Sequence, residues 1–366
     1  MINFELRCEL MSHLLLIVNP GSTSTKAAIF KDHEEIVSKN INHSAEELAQ
    51  FSGVIDQMEF RYKKIEEFIK ENHYSISDFQ ATVGRGGLLK PIPSGTYQVD
   101  VAMVKDLQSE SYGSHAANLG ALIALNFAKQ ADIPAFIVDP VVVDELADVA
   151  RITGRPEIAR RSLFHALNQK AVAKRYAMQN GKDYTDLNLV VAHMGGGVSI
   201  GCHEKGRVVE VNNTLDGEGP MSPERTGTVQ AKSFAELIFK EKWDMKRISK
   251  ALAGQGGIFA HLGTTDVREV EKMIANGDEK AKLVLDGMLY QVARYIGAAA
   301  VVVKGKVDQI ILTGGIAHSA YVVQKLKEHT DFIAPITVFP GEDELKALAE
   351  GALRVLTGVE KAKIYL

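Results

Sequence analysis

The chain has 366 residues, 46% of them hydrophobic and 24% charged, an ordinary globular composition on more length than one hydrophobic core usually serves. Its 42 basic and 46 acidic residues are interspersed and leave a net charge of −4, which offers no basic field to a nucleic-acid backbone. The two cysteines, Cys8 and Cys202, are far apart and form no disulfide framework or zinc site, and the longest apolar runs, residues 14–18 and 298–303, are far short of the roughly 20 residues that span a bilayer. A cytoplasmic protein with no membrane or nucleic-acid partner is expected.

Residues 1–10 carry Glu5, Arg7 and Glu9 with no apolar run, so they do not form a secretory signal and are expected to be a disordered or misassigned start before Met11. Residues 14–18 are a continuous apolar strand, followed by the turn Asn19-Pro20-Gly21-Ser22-Thr23-Ser24-Thr25. A strand over 26–30 and a further one at Ile36-Val37 complete an antiparallel meander. Strand 81–83, a helix over 116–129 and strand 133–138 then alternate in α/β fashion, ending at Asp139.

The opening layout recurs. Strand 187–192, the turn His193-Met194-Gly195-Gly196-Gly197, strand 198–202 and strand 208–211 repeat the meander and point to an internal duplication. Helices over 233–240, 267–275 and 279–303, strand 309–313, strand 336–339 and a helix over 343–357 follow. This places residues 11–140 with 343–366 in a first domain and 141–342 in a second.

Neither the G-x-x-x-x-G-K-[ST] nor the G-x-G-x-x-G motif occurs. Three other glycine-rich turns, at Gly21, Gly195 to Gly197, and Gly314-Gly315, each follow a buried-type strand, where an α/β protein exposes backbone N–H groups to phosphate. Singly, each is an ordinary hairpin turn; three in duplicated halves point to one nucleotide.

The run Asn19-Pro20-Gly21-Ser22-Thr23-Ser24-Thr25-Lys26 resembles the N-x-G-S-x-S-x-K signature of the acetate kinase family, which belongs to the actin-like ATPase superfamily. Further blocks resemble that family in order: Val83-Gly84-Arg85-Gly86-Gly87, Phe136-Ile137-Val138-Asp139, Leu163-Phe164-His165, the His193 glycine turn, Pro223-Glu224-Arg225-Thr226-Gly227 and Thr313-Gly314-Gly315-Ile316-Ala317. Thr228 and the Ala317-His318-Ser319 stretch depart from the acetate kinase pattern and resemble the butyrate kinase branch. The resemblance implies an α/β fold of two duplicated actin-like (ribonuclease H-like) domains around a nucleotide cleft, ATP and Mg²⁺ as cofactors, and transfer of the γ-phosphoryl group to a short carboxylate such as butyrate. It also implies that Asn19, Ser22, Ser24, Lys26, His193, Gly195, Gly196, Gly197, Gly314 and Gly315 hold the nucleotide, and that His165 stands at the transferred group. A homodimer or higher homo-oligomer is expected.

The chemistry of the residues agrees with this. A carboxylic acid is already ionised at neutral pH, so its attack on ATP needs no general base. The barrier is anion meeting anion: two unit charges about 4 Å apart repel by roughly 4 kcal/mol at an effective dielectric near 20. Fixed cations and a metal answer that need. Arg85 and Arg225, each in a glycine-rich stretch, are the candidate guanidinium clamps, although a lone arginine is otherwise a surface ion pair. His165 and His193 are candidate donors to phosphoryl oxygens, and His115 is a helix-entry residue or a third. Asp139, at a strand end, is the candidate magnesium ligand, otherwise a turn aspartate, with Glu344 chosen from Glu342-Asp343-Glu344 as the second. Phe164, Pro223, Gly84, Gly86, Gly87 and Ser114 are expected to leave room for a longer acyl chain. The rival reading is an actin-like ATPase working as a filament or chaperone module, whose water nucleophile brings no anion for two arginines to neutralise.

Overall fold

The computed structural model describes residues 12–366, and the expectation for residues 1–10 and Met11 lies outside them. The chain forms two compact units, one ending at Val143 and completed by Asp343–Leu366, the other Asp144–Glu342.

The first unit holds a six-stranded sheet in the order β3-β2-β1-β4-β6-β5. β1 (Leu14–Pro20) is apolar on both faces because both faces are covered, and it pairs antiparallel with β2 (Ser24–Lys31) and parallel with β4 (Ala81–Gly84). β3 (Glu34–Asn42) is the polar, largely exposed edge, while β6 (Ala135–Val138) and the short β5 (Thr96–Gln98) close the other side. One face packs its Leu16, Val18 and Ile29, with Phe79 from the turn before β4, against the helices Met58–Glu71 and Asn118–Ala131 through Phe68, Ile123 and Phe127. The helix Glu344–Leu356 covers the other face, lying on β1, β4 and β6. It comes so close that a Cβ on Gly351 would stand 2.4 Å from Val138 Cγ1.

The second unit repeats the plan in a five-stranded sheet, β11-β10-β7-β8-β9. β7 (Asn188–Met194), β8 (Val198–Glu204) and β9 (Arg207–Val211) form the antiparallel meander, and β10 (Gln309–Gly314) and β11 (Ile336–Pro340) add in parallel to β7. In both units the first three strands run outward from the centre and later strands add on the other side. The helix Glu279–Val302 covers one face through Leu285, Met288, Val292 and Ile296, and the helix Ala166–Gln179 covers the other through Val172, Ala173 and Tyr176.

Most element boundaries differ from the sequence reading by one to a few residues, two of them on the way to Asp139. The helix read from residue 116 begins at Asn118, and the strand read from residue 133 begins at Ala135, because Ile133 still bonds back to the preceding helix. Among the described residues no helix is long and apolar enough to cross a membrane.

Candidate active site

In the first unit the strand ends build one cluster. Asn19 and Lys26 are directly opposite in the β1–β2 register, so their side chains share a face; Asn19 is buried and Lys26 exposed. Arg85 leaves the end of β4 with its backbone N–H donated to the Val18 carbonyl. Its Nη1 donates to Glu344 Oε1 at 2.5 Å, and Asn19 Nδ2 donates to Glu344 Oε2 at 2.7 Å. Asn19, Arg85 and Glu344 thus meet at one point. Near them, partial burial and the Arg85 charge lower the pKa of His115, whose Nδ1 accepts from the Ala117 N–H in the turn before the helix.

Asp139 follows β6 with a left-handed φ of 38° and is 2% exposed. Its Oδ1 accepts from Ser94 Oγ at 2.6 Å and from the Gly95 N–H at 2.7 Å, so one carboxylate oxygen holds the turn.

The turn after β1 is held from beneath by a residue the sequence reading missed. Arg61 is fully buried, and its guanidinium donates to the carbonyls of Gly21, Ser24 and Ser22 and to Thr25 Oγ1 at 2.8–3.2 Å. Gln57 Oε1 accepts from the same side chain. The turn is closed by the Gly21 N–H donating to the Ser24 carbonyl at 2.7 Å, with Ser22 exposed and Ser24 half-buried on it. Burial brings the Arg61 pKa down to about 10, so the cation persists at neutral pH behind the turn. No motif signals it, since Arg61 reads as one more charged residue of an amphipathic helix.

The second unit gathers His165, His193, the Gly195-Gly196-Gly197 turn, Arg225 and Glu342. The His165 and His193 rings stack with centroids 3.9 Å apart, 12° from parallel. Asn168 Nδ2 donates to the Glu342 carbonyl, which fixes the amide so that Oδ1 accepts from His193 Nδ1 at 2.8 Å. His193 Nε2 stands 3.8 Å from Glu342 Oε1.

Arg225 packs its guanidinium against the glycine turn; a Cβ on Gly197 would lie 2.0 Å from Nη1. Nη1 donates to the Thr214 carbonyl, while buried Nε has no hydrogen-bond partner. Burial lowers the Arg225 pKa and the Glu224 carboxylate opposes that. Gly314, with φ 88°, ends β10 so tightly that a Cβ would be 2.3 Å from the Met194 carbonyl oxygen. Gly195, Gly196, Gly315 and Ser319, with Pro223 and Asp266, line a cavity of about 830 Å³. That volume suits a nucleotide.

At the three small residues Gly84, Gly86 and Gly87 the expected room is already filled. A Cβ on Gly84 would meet the Gly120 carbonyl oxygen at 2.1 Å, one on Gly86 would meet Pro140 and one on Gly87 would meet Asn118. These glycines admit a helix and a proline rather than a substrate. Phe164, 1% exposed, is a core residue and not an open wall.

Duplicated actin-like sheets whose glycine turns carry arginines, histidines and acids define a phosphotransferase. Residues 153–335 match the Acetokinase family. The chain is 52% identical over 351 residues to butyrate kinase 1 of Clostridium acetobutylicum, covering 96% of this chain and 99% of that protein. It is 51% identical over 351 residues to a probable butyrate kinase of Enterococcus faecalis, covering 96% and 97%. The fold matches a solved Porphyromonas gingivalis acetate kinase with a TM-score of 0.73 at 19% identity, covering 93% and 99% of the two chains. A propionate kinase from Francisella tularensis matches with a TM-score of 0.72 at 18% identity, again over 93% and 99%. The chain belongs to the acetokinase family. The rival reading as a filament or chaperone module gains no support from these relatives.

Proposed function

We propose that this carboxylate kinase transfers the γ-phosphoryl group of ATP to butyrate or a branched four-carbon acid, reversibly, giving an acyl phosphate. The observation that carries the transfer chemistry is the Arg225 guanidinium seated directly on the Gly197 turn. A buried cation beside a turn of backbone N–H groups stabilises charge that develops on phosphoryl oxygens. The four-carbon preference rests on the curated relatives at about 50% identity over nearly the full chain.

In this reading the Gly195-Gly196-Gly197 turn and Gly314-Gly315 bind ATP, with His193 held by Asn168 at the edge of the turn. The turn of Asn19, Ser22, Ser24 and Lys26, backed by Arg61, receives phosphate oxygens. Arg85 orients the carboxylate and His165 donates to the transferring group. Asp139 and Glu344 present the hard carboxylate oxygens that Mg²⁺ prefers beside phosphate. Bound there, Mg²⁺ supplies neutralisation of phosphate charge. Because the nucleophile is already anionic, no side chain has to remove a proton from it.

The same reading has the enzyme act as a homodimer or larger homo-oligomer, to be measured by sedimentation. The activity is tested by trapping acyl phosphate with hydroxylamine: hydroxamate forms from ATP and butyrate with magnesium. ATP hydrolysis that carboxylates leave unchanged, with no hydroxamate, would remove the reading.

A further inference from the structure

Behind His165 a line of buried polar side chains runs into the second unit, and its hydrogen bonds have a direction that can be read from one end to the other. The Ser199 carbonyl is an acceptor only, and Gln169 Nε2 lies 3.1 Å from it. That fixes the Gln169 amide, so Oε1 faces His203 Nε2 at 3.0 Å and the proton of this contact is on His203. His203 is fully buried, and burial with the Lys170 charge keeps its ring neutral. Its Nδ1 is therefore bare and accepts from the Tyr184 hydroxyl at 2.7 Å.

The other end follows by the same logic. Gln169 Nε2 donates its second hydrogen to Ser199 Oγ at 2.8 Å. Ser199 is 0% exposed, so its own hydroxyl proton needs an acceptor within the protein. Of the two side-chain atoms bonded to Ser199 Oγ, Gln169 Nε2 and His165 Nδ1, only His165 Nδ1, at 2.9 Å, can accept it.

We propose that Ser199 and Gln169 are positioning residues that hold the His165 ring in the tautomer with its proton on Nε2 and its Nδ1 accepting from Ser199, the tautomer that the kinase reading requires of a donor to the transferring phosphoryl group. The stacked partner ring is set the opposite way, since His193 spends its Nδ1 proton on Asn168. The sheet makes this possible because Ser199 pairs with His193 across β7 and β8, and Gln169 lies one helical turn after His165.

The donor role of His165 rests on the kinase reading, but its tautomer can be measured without turnover. In protein labelled with ¹⁵N-histidine, long-range ¹⁵N–¹H correlation spectra at neutral pH, assigned with a His165→Gln variant, should show His165 protonated at Nε2 and bare at Nδ1. A His165 ring protonated at Nδ1 overturns the proposal whatever the activity is. Ser199→Ala should mix the tautomers and lower kcat at least about tenfold with both KM values nearly unchanged, and Ser199→Thr should restore both. An unchanged spectrum and kcat in folded Ser199→Ala would equally overturn it. If the parent protein forms no hydroxamate while His165 shows the Nε2–H form, the kinase reading fails and the hydrogen-bond chain stands.

Discussion

Arg85 and Glu344 meet through a 2.5 Å contact between Nη1 and Oε1, although they are 259 residues apart in the chain. A strand end and a helix start of the same unit bring them together, and Asn19 holds the second carboxylate oxygen at 2.7 Å. The carboxylate is thus oriented before any ligand arrives. Replacing Glu344 by Gln keeps the shape and removes the charge. It is expected to raise the magnesium concentration needed for half-maximal rate at least ~10-fold, read from a magnesium titration at saturating ATP. Arg85→Lys should lower turnover by ~100-fold or more, because one ammonium cannot reproduce a planar guanidinium fork.

Asp139→Asn separates charge from scaffold. The amide oxygen can still accept from Ser94 and Gly95, and Asn tolerates the left-handed backbone at this position. The variant should keep its circular dichroism spectrum and melting temperature and lose at least ~100-fold in kcat. A parent-like rate and magnesium dependence would remove Asp139 from the metal site.

Arg61→Met tests the cation under the turn after β1, to which the proposed function gives phosphate oxygens. The substitution leaves the carbonyls of Gly21, Ser22 and Ser24 without their shared donor, a change that costs about 3 kcal/mol or more where the acceptors stay dry. Urea unfolding should show that loss, and the KM for ATP should rise because the turn is no longer held in one shape by Arg61. Parent-like values of both would make Arg61 a bystander.

Stability at acid pH should report on the same corner. Burial first, and then the Arg61 charge, hold His43 down from 6.5 to about 4, with Lys64 acting the same way and Glu47 opposing. Between those values the unfolded chain binds a proton that folded His43 refuses. Its contribution is therefore intact above about pH 6.5 and is lost as pH falls toward 4. Urea midpoints near neutral pH and near pH ~4.5 should differ less in His43→Gln than in the parent.

Acyl length gives a modest margin. Each buried CH₂ contributes roughly 0.8 kcal/mol, so two more carbons favour butyrate over acetate by about 1.6 kcal/mol, or on the order of 15-fold in kcat/KM. Propionate should fall between them. An acetate value equal to butyrate's would reject the four-carbon assignment and leave carboxylate phosphorylation standing.

The strands were legible because burial on both faces writes itself as continuous apolar runs, as in Leu-Leu-Leu-Ile-Val of β1, and because the duplicated meander repeats them. Residues that end those strands, such as Asn19, Arg85 and His193, were legible for the same reason: each stands where a run stops at a turn. Arg61, Gln169 and Ser199 were not. Arg61 bonds to backbone carbonyls 37 to 40 residues away, which no spacing announces. Gln169 and Ser199 look like incidental polar residues until packing brings a helix onto a strand. The small glycines beside Arg85 misled the size argument because a missing side chain can mean either an open space or a neighbour already in it; here Gly120, Pro140 and Asn118 are the neighbours.

The split of the first unit across the sequence bears on its biosynthesis. The second face of its sheet is covered only when residues 343–366 dock, with Gly351 against Val138, the Lys363 N–H on the Thr96 carbonyl and the Tyr365 hydroxyl on Asp106. A ribosome has by then translated the whole second unit, which is continuous and can fold as soon as it emerges. The face of β1, β4 and β6 that the last helix will cover therefore stays wet through most of translation, and the unit made first is the one completed last.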